Sequence, residues 1–238
     1  MKYVGSKNKL SKELVPIIQD YIDKTNIEKY IEPFVGGANI IDKIKCKIKV
    51  GCDIHKELIA LLKYVQDGGQ LPQTISKEEY IKVRDNQTQY PLWYVGLVGF
   101  CATYNAKYFG GYAGVCKTKE GVRHYDREAI RNINLQRENL KDIQFLNYDF
   151  REIPANKLNG YLIYCDPPYR DTTKYATHKF PYDEFYNWCR LYSKNNIVLV
   201  SEYNMPEDFQ CIWEKVHSTS LDKNNNKKTR IERLFTIK

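Results

Sequence analysis

The chain has 238 residues, a formal net charge of +8 and a hydrophobic fraction of 42%. This length provides one domain, or one domain with a sizeable insertion, and the apolar content excludes a globally disordered chain. The positive charge favours a polyanionic partner, although charge alone does not prove one.

The seven cysteines are widely spaced and form no CxxC pair. Their odd number argues against a disulfide framework and their spacing argues against a zinc site, so we expect no metal. No apolar run approaches membrane-spanning length, and the polar residues after Met1 do not resemble a secretory signal. These features predict a cytoplasmic protein with no membrane partner.

Helical and strand patterns alternate in the first part of the chain. Apolar residues at helical spacing predict helices, and short apolar runs that stop at turn residues predict strands. In chain order we predict a helix over 14–22, a strand over 28–31, a loop over 32–37, a helix from about 38, a strand over 47–54 and a helix over 55–66.

The pattern changes between residues 68 and 142, where helical segments surround one hairpin signal. Ser76 and Glu79 have the spacing of a capping box, and Pro91 stands at the first helical position of an apolar run. Glycine, aromatic and basic residues over 108–125 predict a β-hairpin with its turn at 117–121, and a helix over 126–140 follows. We interpret 68–142 as an inserted, mainly helical subdomain.

The alternation of strands and helices resumes after residue 142. We predict strands over 143–148, 161–165, 197–200, 212–218 and 230–237, and a helix over 182–192. The last two strands leave no room for a crossover helix, so they should pair antiparallel, and the polar residues 222–228 between them predict a mobile loop. The fold class is therefore α/β, with a mostly parallel Rossmann-like sheet formed by 1–67 and 143–238.

Two features of the early strands are typical of a nucleotide-binding edge. Gly36 and Gly37 follow the first strand, where glycines let a ligand approach the backbone and a helix N-terminus is expected beside them. Asp53 ends the next strand, where a carboxylate can bind both hydroxyls of a ribose. The glycines could also form an ordinary strand-to-helix turn, and Asp53 could cap the next helix or serve both roles.

The tetrapeptide Asp166-Pro167-Pro168-Tyr169 follows the apolar strand over 161–165. Exocyclic base amines are poor nucleophiles because the nitrogen lone pair is delocalised into the ring. The Asp166 carboxylate and the Pro167 carbonyl can accept the two amine hydrogens and aim the lone pair at a methyl donor. Tyr169 offers a stacking face for an extruded base. An isolated motif of this kind would more often be a plain proline-rich turn.

Five motifs in this order resemble the Dam-type family of DNA adenine-N6 methyltransferases. They are Lys2 to Lys7, Glu32 to Gly37, Asp53, Tyr148-Asp149-Phe150 and Asp166 to Tyr169. The resemblance implies a class I methyltransferase sheet, S-adenosylmethionine as cofactor and S-adenosylhomocysteine as product. It implies catalytic roles for Asp166, Pro167, Pro168 and Tyr169, and cofactor-binding roles for Tyr3, Gly5, Lys7, Glu32, Pro33, Phe34, Gly36, Gly37, Asp53, Asp149 and Phe150.

Individual cofactor contacts also follow from the resemblance. It implies that Lys7 lies near the methionine carboxylate, Asp53 on the ribose and Asp149 at the adenine amine. Tyr3 and Phe34 are expected to pack around the cofactor pocket.

The segment at 100–112 departs from the family's usual sequence before its recognition hairpin, so a GATC target is not carried over. We expect DNA contacts from this region and from the hairpin, either to phosphates or to base edges. The expected residues are Asn105, Lys107, Lys117, Lys119, Arg123 and His124. For the hairpin residues, a solvated surface charge is an equally good interpretation.

The predicted activity is methyl transfer from S-adenosylmethionine to a flipped-out adenine in double-stranded DNA, by a monomer or a weak dimer. The enzyme would belong to a restriction–modification pair or act as an orphan methylase, in the cytoplasm and on the nucleoid. The catalytic motif does not separate adenine from cytosine, so cytosine-N4 transfer and RNA amine methylation are alternatives. A catalytically inactive DNA-binding protein is a further alternative, which the intact Asp166 and glycines disfavour.

Overall fold

The computed structural model of the chain describes residues 1–118, 121–154, 158–170, 180–218 and 229–238. Lys119 and the loop predicted over 222–228 lie outside these ranges. No helix in the described part of the chain is both long enough and apolar enough to cross a membrane.

Most predicted elements are confirmed, with bounds that shift by a few residues. In the described ranges the α-helices are α1 (Ser11–Thr25), α2 (Lys56–Gln66), α3 (Lys77–Asp85), α4 (Leu92–Cys101), α5 (Tyr125–Leu140) and α6 (Tyr182–Tyr192). The strands are β1 (Lys29–Glu32), β2 (Ile48–Asp53), β3 (Val115–Thr118), β4 (Gly121–His124), β5 (Ile143–Asn147), β6 (Tyr161–Cys165), β7 (Ile197–Glu202), β8 (Phe209–Ser218) and β9 (Thr229–Ile237).

Seven of these strands form one sheet in the order β5-β2-β1-β6-β7-β9-β8. The first five in this order are parallel, and β9 pairs antiparallel with both β7 and β8. The chain builds outward from β1 to β5 on one side and then from β6 onward on the other. The strand order therefore reverses between β1 and β6, which is where open α/β sheets bind ligands. The predicted Rossmann-like sheet, with its terminal antiparallel pair, is confirmed.

Alternating residues of the central strands pack into two hydrophobic cores on opposite faces of the sheet. Tyr30 and Leu162 belong to the core that also contains residues of α1, α2, α4 and α5. Ile31 and Ile163 belong to the other core, which contains residues of α6. The alternation follows from the two-residue period of a strand, and each fully buried aliphatic side chain contributes about 1.5–3 kcal/mol. The carboxyl edge of the sheet is therefore a rigid platform.

The helices between residues 68 and 142 pack onto α2. Both α4 and α5 contact α2, and a Cβ at Gly96 would overlap the Glu57 carbonyl oxygen, so glycine permits the close approach of α4. The Ser76 hydroxyl accepts a hydrogen bond from the Glu79 backbone N–H at 3.1 Å, which confirms the predicted start of α3. The segment thus shares its hydrophobic core with the sheet.

The hairpin is shorter than predicted. Its described strands are β3 and β4, whereas the preceding residues 108–114 form an irregular connection. The Tyr108 hydroxyl donates to Gln87 Oε1 at 2.9 Å, and the Tyr112 hydroxyl donates to the Ile75 carbonyl at 2.8 Å. These tyrosines therefore anchor the connection to its neighbours instead of extending the strands.

The prediction of a helix from about residue 38 is wrong. Ala38 has φ +54°, which is incompatible with an α-helix, and the 3-10 turn Ile41–Lys43 follows. The Val35 carbonyl accepts the Ala38 N–H at 2.9 Å and the Ile40 carbonyl accepts the Lys43 N–H at 2.9 Å, so the segment forms tight turns instead of a continuous helix. The expected α-helix N-terminus beside Gly36 and Gly37 is consequently replaced by a turn.

Candidate active site

Acidic residues stand at the carboxyl ends of the parallel strands. Glu32 ends β1, Asp53 ends β2 and Glu202 ends β7, while Asp149 and Asp166 follow β5 and β6. Parallel strands bring their carboxyl ends to one edge, so the fold gathers these carboxylates around the reversal of strand order. Glu202 is the member of this set that the sequence analysis did not predict.

The loop after β1 contains Gly36 and Gly37 and is called the glycine loop. The Asp53 carboxylate joins it to the end of β2. The Gly36 N–H donates to Asp53 Oδ2 at 3.0 Å, and the His55 N–H donates to Oδ1 at 3.0 Å. Gly36 has φ +48°, and a Cβ there would lie 2.9 Å from Tyr3 Cε1. Glycine is therefore favoured by the left-handed backbone and by the close approach of the tyrosine ring that covers the loop.

The contacts of Asp53 fit a ribose diol. Asp53 is 7% exposed, and each carboxylate oxygen accepts one backbone hydrogen bond. An ionised carboxylate has about four acceptor positions, so each oxygen can still accept a hydroxyl. Burial raises the pKa of Asp53, and the backbone N–H groups of His55 and Gly36 oppose that rise.

An apolar wall stands beside the glycine loop. The Phe34 ring centroid lies 5.6 Å from that of Phe150 and 5.8 Å from that of Phe180. Such rings offer a flat apolar surface that suits an adenine ring. Asp149, which precedes Phe150, accepts two hydrogen bonds from the Arg151 guanidinium at 2.8 and 2.9 Å. An amine that reaches Asp149 must share its carboxylate with Arg151.

The other predicted cofactor residues contribute to the backbone and wall of this edge. Gly5 has φ +71° in the turn between Tyr3 and Lys7, and Pro33 is buried. Glu32 is 3% exposed, and its Oε1 accepts the Tyr30 hydroxyl at 2.7 Å. Burial raises the pKa of Glu32 well above its usual range, although this hydrogen bond opposes the shift.

The predicted catalytic tetrapeptide, Asp166 to Tyr169, belongs to a buried ionic cluster. Lys7 Nζ lies 2.7 Å from Asp166 Oδ1 and 3.5 Å from Glu232 Oε1. The Tyr169 hydroxyl donates to Glu232 Oε1, and Lys7 Nζ lies 4.4 Å from the Tyr169 ring centroid. The exposed fractions of the charged side chains are 9% for Lys7, 21% for Asp166 and 4% for Glu232. Asp166 is therefore the most accessible of these three charged groups. Within the tetrapeptide, Pro167 and Tyr169 are buried and Pro168 is exposed.

Burial shifts two acidic groups of this region towards their neutral forms. It raises the pKa of Asp166 to about 6, where Lys7 opposes the shift and the charge of Glu232 adds to it. It raises the pKa of Glu202 to about 7, although the backbone N–H groups of Tyr203 and Arg170 oppose this rise. The region is thus poised to change its charge near neutral pH.

The residues predicted to contact DNA lie on the turn after α4 and on the hairpin. Asn105, Lys107 and Arg123 are exposed, His124 is half-buried and Lys117 lies on β3. Successive strand residues point to opposite faces, so Arg123 and His124 face opposite sides of the hairpin.

A surface ion-pair network joins the hairpin to the N-terminal segment. Arg123 Nη2 lies 2.8 Å from Glu128 Oε2, and Lys2 Nζ lies 3.0 Å from Glu128 Oε1. The base of the hairpin is therefore adjacent to the segment that carries Tyr3 and Lys7.

Sequence analysis missed three side chains that shape this edge. Glu202 ends an apolar strand as Asp53 does, and that position was a usable signal. Glu232 lies within β9, and Gln136 lies within α5, where the local pattern is regular. The Gln136 amide donates to the carbonyls of Gly37 at 3.2 Å and Ala38 at 2.9 Å, which links α5 to the glycine loop. Among the residues described, no group of three or more His, Cys, Asp or Glu side chains could hold a metal ion.

Two of the curated proteins that are similar to this chain are named as methyltransferases. The chain is 24% identical to the Type II methyltransferase M.MjaIII of Methanocaldococcus jannaschii over 246 residues, which cover 86% of this chain and 84% of that protein. It is 23% identical to the Type II methyltransferase M.FokI of Planomicrobium okeanokoites over 217 residues, which cover 80% of this chain and 31% of that protein. The match therefore spans less than a third of M.FokI.

Similarity to solved structures is low. TrmN from Thermus thermophilus has a TM-score of 0.38 and 11% identity, with 98% of this chain and 53% of that chain covered. Precorrin 8w decarboxylase of Methanobacterium thermoautotrophicum has a TM-score of 0.37 and 9% identity, with 93% and 89% covered. The strand order, and not these scores, is therefore the basis of the fold assignment.

A family model matches most of the chain. The matched residues are 3–196, a range that contains Lys7, the glycine loop, Asp53 and Asp166. Glu202 and Glu232 lie beyond it. The chain belongs to the D12 class N6 adenine-specific DNA methyltransferase family, in agreement with the resemblance of its motifs.

Proposed function

We propose that this chain transfers a methyl group from S-adenosylmethionine to the N6 amine of an adenine that is rotated out of double-stranded DNA. The observation that supports this most is the position of Asp166. It directly follows β6 at the reversal of strand order, and 21% of its side chain is exposed in an otherwise buried ionic cluster. An accessible carboxylate at this edge suits the preparation of a base amine.

In this proposal Asp166 and the Pro167 carbonyl each accept one hydrogen of the target amine. The two contacts withdraw the nitrogen lone pair from the ring and aim it away from the acceptors. Preorganised contacts of this kind are worth roughly 10²–10³ in rate each. Asp166 must be ionised to accept the amine well, so its pKa of about 6 places the active form at neutral and higher pH.

When bound, S-adenosylmethionine supplies a methyl group that is activated by its sulfonium. Asp53 would bind the two ribose hydroxyls, since each of its oxygens has accepting capacity beyond the bonds to Gly36 and His55. Phe34 and Phe150 would pack against the adenine ring of the cofactor. Lys7 would attract the methionine carboxylate while it remains next to Asp166.

We assign DNA recognition to the inserted segment 68–142, and within it to the hairpin. Rotation of a base out of the helix costs a few kcal/mol, which contacts to the surrounding DNA must offset. The network of Arg123, Glu128 and Lys2 supports this assignment because it brings the hairpin next to the catalytic edge. M.MjaIII and M.FokI are named Type II methyltransferases, and we infer a restriction–modification role by analogy.

The test is methyl transfer from labelled S-adenosylmethionine to genomic DNA amplified in vitro, which carries no modified bases. After digestion to nucleosides, we expect the label in N6-methyladenine, and roughly 10²–10³-fold less of it in the same incubation time with an Asp166→Ala control. Label in N4-methylcytosine would overturn the choice of base. Transfer to RNA but not to duplex DNA would overturn the choice of substrate, and absence of any transfer would overturn the function.

A further inference from the structure

Glu232 contacts the catalytic loop from outside the part of the chain that matches the family. It lies on β9, beyond residue 196, and is 3% exposed. Its Oε1 accepts the Tyr169 hydroxyl and lies 3.5 Å from Lys7 Nζ. One carboxylate thus contacts two of the groups that surround Asp166.

The Lys7 ammonium creates a conflict for the proposed reaction. It lies 2.7 Å from Asp166 Oδ1, although the target amine also needs an acceptor on Asp166. The attraction between two buried opposite charges is less screened than at the surface, so an ammonium with a single anionic partner would compete effectively with a neutral amine. A second carboxylate beside the ammonium divides this attraction.

We propose that Glu232 is a positioning residue for methyl transfer, which holds Lys7 and the Tyr169 hydroxyl so that the Asp166 carboxylate is available to the target amine. This inference rests on the proposed function, in which Asp166 accepts that amine. Glu232 acts through Lys7 and Tyr169 and does not itself contact the base. Its hydrogen bond also fixes the orientation of the Tyr169 ring, on which the base would stack.

Packing alone does not explain a carboxylate at this position. Buried ionic groups are often no more stabilising than apolar side chains of similar volume. The next residue on the same face of β9, Leu234, is fully buried and shows that the strand accommodates an apolar side chain there. A charge at Glu232 is therefore better explained by what it does to Lys7 and Tyr169.

The charge of Glu232 also bears on the ionisation of Asp166. The titratable groups around Asp166 in the surrounding described elements are Lys7, Glu32 on β1, Tyr164 and Cys165 on β6, Tyr169, Glu202 on β7 and Glu232 on β9. Glu232 contributes to the raised pKa of Asp166 because a second negative charge opposes ionisation. Removal of that charge, and tighter pairing of Lys7 with Asp166, both lower the pKa of Asp166.

The test compares Glu232→Gln with the wild-type chain in single-turnover methyl transfer from about pH 5 to about pH 9. S-adenosylmethionine and in-vitro-amplified genomic DNA are saturating, so that the chemical step is measured. We expect the plateau rate to fall on the order of tenfold to a hundredfold. The acidic limb should move below the wild-type limb, which is expected near the Asp166 pKa of about 6. Glu28→Gln is the matched control. Glu28 is 66% exposed and precedes β1, at the end of that strand away from the carboxyl edge of the sheet.

Each outcome supports or overturns the positioning role. An unchanged plateau and acidic limb would overturn it. A lower plateau with an unmoved limb and a lower melting temperature would indicate a merely structural residue and would also overturn it. If the wild-type chain itself transfers no methyl group, the proposed function fails. If the wild-type chain is active and Glu232→Gln is equally active, only the positioning role fails.

A double-mutant cycle gives a second measurement that does not depend on the pH profile. Tyr169→Phe keeps the ring and removes the hydroxyl that donates to Glu232. Because both substitutions break the same contact, the combined rate loss should be smaller than the product of the two single losses. Should Glu232→Gln not fold, Glu232→Asp takes its place in the cycle. Losses that multiply independently would overturn the proposed coupling.

Discussion

The proposed catalytic edge, around Asp166, and the proposed recognition hairpin, β3 and β4, use the same kind of contact, a cation on a carboxylate, in opposite environments. Lys7 and Asp166 have side-chain exposures of 9% and 21%, whereas Arg123 and Glu128 have exposures of 46% and 34%. Breaking a buried pair leaves an uncompensated charge, but an exposed pair contributes only about 0.2–1 kcal/mol. The buried contact therefore fixes geometry, and the exposed contact can be broken at little cost.

The two environments also move carboxyl pKa values in opposite directions. Burial raises the pKa of Asp166 to about 6 in spite of Lys7. On the surface, a hydrogen bond from Lys2, helped by Arg123, lowers the pKa of Glu128. Desolvation dominates in the first case and the nearby cations dominate in the second, so proximity of a cation does not by itself determine the direction.

The largest effect is expected for Asp166→Ala, which tests the buried side of the comparison. Loss of one preorganised acceptor should lower the single-turnover rate by roughly 10²–10³. Cofactor affinity and folding should change little, because Glu232 still pairs with Lys7. Asp166→Asn is the matched control, which keeps the shape and one acceptor oxygen and should retain more activity. A folded Asp166→Ala protein with the wild-type rate would refute the site.

A smaller effect is expected for Asp53→Ala, measured as S-adenosylmethionine affinity by calorimetry. Each lost charge-assisted hydrogen bond to the ribose should cost roughly 1.5–3 kcal/mol. Part of the change will appear as lower stability, because Asp53 also accepts the N–H groups of Gly36 and His55. Asp20→Ala, an exposed change on α1, controls for the loss of a carboxylate. Unchanged affinity in a folded Asp53→Ala protein would exclude the ribose contact.

The smallest effect is expected for Arg123→Ala, which tests the exposed side. Stability should fall by no more than about 1 kcal/mol, since the Glu128 pair is a surface contact. Affinity for the cognate DNA should fall by about 1–3 kcal/mol if Arg123 contacts a base edge. If it contacts only phosphate, binding to all DNA sequences should weaken alike and the salt dependence of binding should decrease.

Arg190→Ala is the control, because Arg190 on α6 is also about half exposed and forms an ion pair with Asp208. Equal DNA binding by Arg123→Ala and Arg190→Ala would make Arg123 an ordinary surface residue.

Much of the candidate site could be predicted because its signals are local. Asp53 and Asp166 each terminate an apolar strand, and strand termini at one edge of a parallel sheet converge. The helix predicted after Gly37 is absent because Ala38 adopts a left-handed backbone with φ +54°, a local turn that residue spacing does not express. The sequence places Tyr108 and Tyr112 in the hairpin because an aromatic residue is as compatible with a strand as with a connection that is anchored to neighbouring helices. Only their hydroxyl contacts in the structure distinguish the two.

The sequence by itself determined the order of the motifs, the apolar strands that precede them and hence the family and the edge of the sheet where chemistry is expected. Only the tertiary structure decided which charges meet there. Lys7 and Glu232 are distant in sequence, and they meet at Asp166 because β9 inserts between β7 and β8 and turns one of its buried positions towards the loop at 166–169. Residue periodicity reports local backbone geometry and burial, whereas the partner of a buried charge depends on the pairing of strands that are distant in sequence.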